Sequence, residues 1–193
     1  MATLSRAGRH CAVQLSHRRS FLPGLSNLLK TAEQRRRTES WQRVVQHPRA
    51  TIFRVVADVG SYSEFLPWCI GSRVLERTVS ADGAGEQLST EISVGFELLQ
   101  SSFFSSVTVS PDRGCVHAVS EPNDYMEHLS FTWQFAPVGE TACRLDLELD
   151  FCLRQSEHVL MWDLAQDKIM SEYVGCFSRR CTELSRRGGD AGP

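Results

Sequence analysis

Along the second half of the chain, apolar and polar residues alternate one by one. Leu88, Thr90, Ile92 and Val94 alternate with their neighbours in Gln87–Val94. Phe103, Ser105, Val107 and Val109 do so in Phe103–Ser110, and Leu129, Phe131, Trp133 and Phe135 in His128–Phe135. Cys143, Leu145, Leu147, Leu149, Phe151 and Leu153 continue the pattern in Thr141–Leu153. Successive side chains of a strand point to opposite faces, so each run predicts a strand with one apolar face. Arg73–Ser80 and Cys115–Ser120 complete a set of six strands. The segments Ala81-Asp82-Gly83-Ala84-Gly85, Pro111-Asp112-Arg113-Gly114 and Glu121-Pro122-Asn123-Asp124 interrupt the runs with turn-forming residues. Gaps this short favour an antiparallel meander.

Two other regions carry a period between three and four. Ala50, Phe53, Val56 and Ala57 predict a helix that Pro48 opens. It runs through Asp58 and breaks at Gly60, and Ser61 is placed to cap a short second helix. Trp41–His47, just before, alternates loosely and reads as a first strand. From Ser156 to about Ser185 there is no proline, and Val159, Trp162, Ile169, Met170, Tyr173, Phe177, Cys181 and Leu184 form an apolar stripe. This is a long amphipathic helix, ended by Arg186-Arg187-Gly188-Gly189, with cations at its negative pole and glycine as the stop. The order is strand, two short helices, six strands, long helix: an α+β arrangement in which one helix covers the apolar face of one sheet. Phe131, Trp133, Phe135 and Phe151, with Trp162, Met170, Tyr173 and Phe177 of the helix, either fill that interface or line an elongated apolar pocket. Spacing does not separate the two.

One connection breaks the usual polarity of loops. Tyr62-Ser63-Glu64-Phe65-Leu66-Pro67-Trp68-Cys69 joins a helical pattern to a strand pattern with three aromatics, a Leu, a Pro and a Cys. It either plugs one end of the core or guards a cavity or membrane contact, since Trp favours membrane boundaries.

Composition sets the boundaries. At 193 residues and 41% apolar, the chain suits one domain with a terminal segment. No apolar run reaches the roughly 18 residues of a membrane span, so any membrane contact is peripheral. The formal charge of −2 hides an asymmetry. Residues 1–40 hold eight basic and two acidic residues, none acidic before Glu33, whereas the remainder holds 13 basic and 21 acidic. An Arg- and Ser-containing, acid-poor start with Leu22, Leu25, Leu28 and Leu29 spaced along it reads as a mitochondrial transit peptide over 1–40. That leaves a folded domain over 41–185 and a disordered tail over 186–193. A disordered basic tail or a nucleic-acid arm are the other readings of such a leader. The acidic body argues against general nucleic-acid binding. The seven cysteines include no Cys-x-x-Cys pair and read as free thiols.

Candidate chemistry is sparse. No Gly-rich phosphate loop or Gly-x-Ser-x-Gly occurs, and no two histidines have a metal-ligand spacing. His128, near Asp124, Tyr125 and Glu127, reads as a hydrogen-bonding residue at a strand start. Cys69 would need a neighbouring base to act as a nucleophile.

Val-Ala-Asp-Val at the end of the first helix, Tyr62-x-x-Phe-Leu-Pro-Trp-Cys69 and Ser72-Arg73-Val74-Leu75 together resemble the mitochondrial coenzyme Q-binding proteins of the START-like, polyketide cyclase superfamily. Val94-Gly95-Phe96, His128-Leu129-x-x-x-Trp133-x-Phe135 and Cys143-x-Leu145-Asp146-x-x-Leu149-x-Phe151 extend the resemblance over about Trp41 to Leu184. Glu97-Leu98-Leu99 and Ser102-Phe103-Phe104-Ser105 depart from the family pattern. The resemblance implies a helix-grip fold, in which a curved antiparallel sheet of six to seven strands wraps the C-terminal helix around a cavity. It implies ubiquinone as a bound ligand with no further cofactor, and a carrier role without catalysis. The place implied is the matrix side of the mitochondrial inner membrane, in peripheral contact, with quinone-biosynthesis proteins as partners. The cavity and gate residues so implied are Phe65, Leu66, Pro67, Trp68, Phe96, Trp133, Phe135, Phe151, Met170, Tyr173 and Phe177. A ribosome-associating protein of the same fold and a cyclase-like enzyme are the alternatives.

Overall fold

A computed structural model describes residues 33–79, 83–96 and 99–189. The transit-peptide reading therefore lies almost wholly outside the described residues. The chain runs β1 (Arg36–Val45), α1 (Arg49–Ala57), a 3₁₀ helix (Val59–Glu64), β2 (Cys69–Val79), β3 (Glu86–Phe96), β4 (Leu99–Ser110), β5 (Cys115–Ser120), β6 (Met126–Val138), β7 (Ala142–Leu153) and α2 (Ser156–Gly189). The predicted order holds. All seven strands join one antiparallel sheet in the order β1-β7-β6-β5-β4-β3-β2. β2 to β7 form the meander, and β1 pairs with the last strand, Trp41 opposite Leu147. α1 and the 3₁₀ helix thus carry the chain from one sheet edge to the other. Bulges at Cys69/Gly71, Val74/Glu76 and Met126/His128 bend β2 and β6, because an extra residue on one strand kinks it and raises its twist. The curved sheet closes around α2 in a helix-grip architecture.

The turn chemistry is local and specific. Pro48 stands just outside α1, and its carbonyl accepts from the amides of Thr51 (3.0 Å) and Ile52 (3.2 Å). Gly114 has φ +57° and donates to the Pro111 carbonyl at 3.0 Å. A Cβ there would stand 2.9 Å from the Phe135 carbonyl oxygen and 2.6 Å from the Arg49 guanidinium, so glycine is required for both conformation and space.

Three boundaries differ from the pattern reading. β1 begins at Arg36, five residues before Trp41, so residues 36–40 belong to the folded domain rather than to a leader ending at 40. These residues pair with Cys152 to Glu148 of β7, and two ion pairs add to the ladder: Arg36 forms a two-point ion pair with Asp150 of β7 (2.9 and 2.5 Å), and Arg37 does the same with Asp163 of α2 (3.1 and 3.0 Å). With Arg35, which pairs with Glu127 at 3.0 Å, three charges counted with the basic leader are partners of the acidic body. Gly60 does not break the helical segment; Asp58, at ψ 65°, ends α1, and Gly60 and Ser61 lie inside the 3₁₀ helix. α2 extends to Gly189, so residues 186–189 are helical rather than tail, with Arg186 and Arg187 favourably placed at the negative end.

The core is densest where the C-terminal half of α2 meets α1 and β6. Phe177 is fully buried and meets the rings of Tyr62, Phe65, Trp133 and Tyr173 with centroids 5.0–5.3 Å apart. Phe135 stacks on Trp133 and meets Phe53 edge-on. The inward set predicted for β6 and β7 is the observed one: Trp133, Phe135, Leu145, Leu147, Leu149 and Phe151 are all buried. The N-terminal half of α2 packs less completely; Leu164 is 81% exposed and Ile169 39%. No helix among the described residues is long and apolar enough to cross a membrane.

Candidate functional site

The concave face of the sheet and α2 border two partly open chambers, of about 290 and 400 Å³. They share one wall, made by Val94 of β3, Phe103 of β4, Leu129 of β6, Leu149 of β7, and Trp162 and Ile169 of α2. Both volumes fall in or near the range of small-molecule sites. The choice left open by spacing is thus resolved: the interface is not filled. Strand parity supplies the wall, since every second residue of β3, β4, β6 and β7 faces α2. No Asp, Glu, Lys or Arg lines either chamber among the described residues.

The residues expected at the site fall into three groups. Leu66, Trp68, Trp133, Met170 and Tyr173 line the first chamber, and Phe151 lines the second. Phe65, Phe135 and Phe177 stand in the packed aromatic cluster behind the first chamber; the Arg180 guanidinium lies 5.5 Å over the Phe65 ring. Pro67 is exposed and touches neither chamber. Phe96 ends β3, and its side chain lies outside the described residues. Within the Phe65–Trp68 segment, Leu66 is only 5% exposed. Two successive turns tuck it inward: its amide donates to the Tyr62 carbonyl (2.9 Å) and its carbonyl accepts from the Cys69 amide (3.0 Å). Leu66 is a wall residue, and Pro67 is the exposed part of the segment. The Trp68 carbonyl accepts from the Gly95 amide at 2.9 Å, which ties the segment to the end of β3.

Titratable groups at the first chamber are held neutral. Burial pushes the phenols of Tyr62 and Tyr173 well above their ordinary value. The Tyr62 hydroxyl donates to the Val56 carbonyl at 2.5 Å and locks the 3₁₀ helix to α1. Tyr173 makes ring contacts with Phe131, Trp133 and Phe177, and its hydroxyl has no hydrogen-bond partner among the described residues. Burial also raises the Cys69 thiol, which donates to the Gly71 carbonyl at 3.3 Å. Protonated and hydrogen-bonded, it is a poor nucleophile. His128 serves elsewhere: its Nε2 lies 3.4 Å from Asp150, beside the Arg36 ion pair.

Sequence reasoning did not single out Thr90, Ser105 and Ser120, which also line the first chamber. The signal was present in the alternation of β3 and β4, where Thr90 and Ser105 occupy positions of inward parity among Leu, Ile, Phe and Val.

Solved structures of similar fold include the ZhuI aromatase/cyclase from Streptomyces sp. R1128, with a TM-score of 0.68 and 17% identity over 80% of this chain and 98% of that one. Among curated proteins, the ribosome association toxin RatA of Pseudomonas aeruginosa is 32% identical over 108 residues, 56% of this chain and 69% of the toxin. The mitochondrial coenzyme Q-binding protein coq10 of Schizosaccharomyces pombe is 26% identical over 144 residues, 74% of this chain and 86% of that protein. The profile of the polyketide cyclase / dehydrase and lipid transport family matches residues 45–174, most of the described fold, and the chain belongs to that family.

Proposed function

We propose that this protein holds a polyisoprenoid quinone such as ubiquinone in the paired chambers, as a carrier working at a membrane surface. The observation that supports this most is the lining: two adjoining chambers walled by aliphatic and aromatic side chains with no charged residue. Such a space suits a long apolar tail, whose exposure to water costs about 0.8 kcal/mol per CH₂. Catalysis has little support in the first chamber's lining, because burial holds the Tyr62 and Tyr173 phenols and the Cys69 thiol in their neutral forms and no carboxylate or histidine joins them among the described residues. Peripheral contact with the matrix side of the mitochondrial inner membrane fits the exposed Pro67 beside Trp68 and the basic leader. The test is mass spectrometry of lipid extracted from the purified, folded protein made in quinone-producing cells. A quinone in near-stoichiometric amount is expected; its absence, or phospholipid alone, overturns the reading. A reporter fused to residues 1–40 is expected to enter mitochondria.

The RatA relative favours a second reading, association with ribosomal subunits. Co-sedimentation of the protein with purified subunits on a gradient, with no quinone in the lipid extract, would establish that reading instead.

A further inference from the structure

Thr90 and Ser105 are the two buried polar residues among the described ones, at 0% and 8% exposure. The strand register makes them neighbours: Thr90 of β3 lies opposite Ser105 of β4, which lies opposite Ser120 at the end of β5. Three hydroxyls therefore form one row across three strands, on the wall of a chamber otherwise dominated by apolar side chains.

The hydrogen bonds of this row do not close. The Thr90 hydroxyl donates to the Ser105 carbonyl at 3.2 Å. The Ser105 and Ser120 hydroxyls bond to each other at 2.8 Å. Each hydroxyl offers one donor and two acceptor sites. Whichever serine donates to the other, the accepting serine keeps its own O–H without an acceptor among the described residues. The row thus presents one free donor and several free lone pairs. Leaving buried polar capacity unused is costly, and a ligand oxygen is the partner that would use it. The second chamber differs. Its Ser101, Tyr125 and His158 are not buried, and its one buried unpaired donor among the described residues, the Trp162 indole N–H, lies on the wall shared with the first chamber.

We infer that the Thr90–Ser105–Ser120 row is the subsite for the oxygenated ring of the ligand, and that the apolar tail runs past the shared wall into the second chamber. This rests on the quinone reading above. A quinone carbonyl accepts from the free serine O–H. A quinol can also donate to the lone pairs, so the row accommodates either oxidation state. The ring enters first, and the tail follows along the N-terminal half of α2.

The experiment uses the full chain and two probes: a ubiquinone ring with a decyl tail, and a plain hydrocarbon of matching length. Binding is read by tryptophan quenching, with Trp68, Trp133 and Trp162 at the chambers. Thr90→Val with Ser105→Ala is expected to weaken the quinone about tenfold, the scale of one lost hydrogen bond, and to leave hydrocarbon binding unchanged. Equal loss for both probes, or no loss for either, overturns the assignment. Ser120→Ala, at the half-buried end of the row, provides the same comparison if the double variant does not fold. Photolabels on the ring are expected to mark peptides of residues 86–120, and labels on the tail end residues 158–169; the reverse pattern also overturns it. A wild-type protein that binds hydrocarbon but not quinone refutes the quinone reading and this subsite with it. A wild type that binds quinone, with variants unaffected, refutes the subsite alone.

Discussion

Phe177 and Ile169 both face inward from α2, yet their surroundings assign them different roles. Phe177 is fully buried against four aromatic rings. Phe177→Ala would leave a cavity that the close-packed rings cannot fill, at a cost of about 3–5 kcal/mol. Ile169 lines the wall shared by the chambers and is 39% exposed. Ile169→Ser is expected to change stability by about 0.5 kcal/mol and to shorten retention of a bound lipid. Chemical denaturation run beside a lipid-release assay separates the two effects. Leu66 belongs with Phe177: Leu66→Glu would place a carboxylate at a position 5% exposed, and a large fall in melting temperature is expected. Pro67, exposed on the same segment, is the position where a charge tests membrane contact without unfolding the protein.

β1 is the element whose role sequence patterning understated. Its pairing with β7 spans residues 36–45, and its first two residues carry the ion pairs to Asp150 and Asp163. A chain begun at residue 41 loses half of this ladder and exposes the β7 backbone, so it is expected to melt well below a chain begun at residue 33. Equal melting temperatures would return residues 36–40 to the leader. The ion pair also fixes a pH dependence. The hydrogen bond from Arg36, with its charge, holds the Asp150 carboxyl below the usual carboxylate range. A depressed folded-state value means that the unfolded chain takes up its proton first. The contribution is therefore present above about pH 4 and lost as pH falls through the lower folded value. Arg36→Gln is expected to lower the melting temperature at neutral pH, with a gap that closes on acidification. A constant gap from neutral pH to about pH 2 would show that Asp150 is not the linked group.

For the whole molecule, the consequence of an unfilled interface is ligand-linked stability. A ligand that binds only the folded state stabilises it by about 2.7 kcal/mol at a hundred times its dissociation constant. Removing extracted lipid should lower the melting temperature, and adding back a short-tailed quinone should restore it. A protein whose melting temperature ignores both steps would have chambers that no such lipid occupies.

Strand parity and the helical stripe were legible because they are local. The period-two runs around Leu129–Phe135 and Leu145–Leu153 determine which side chains face inward whatever lies opposite, and the stripe from Val159 to Leu184 determines which face of α2 meets them. Those periods, with the turn residues between them, determine an α+β meander closed by one helix. They carry direction but not distance. Whether Trp133 and Tyr173 touch across a full core or border a space depends on how far the bulged, twisted sheet stands from α2, and that is set by all the packing at once. The pairing of Trp41 with Leu147 joins segments more than a hundred residues apart, beyond the reach of any local pattern. The alignment of Thr90, Ser105 and Ser120 into one row is likewise a property of register, which becomes defined only when three strands lie side by side.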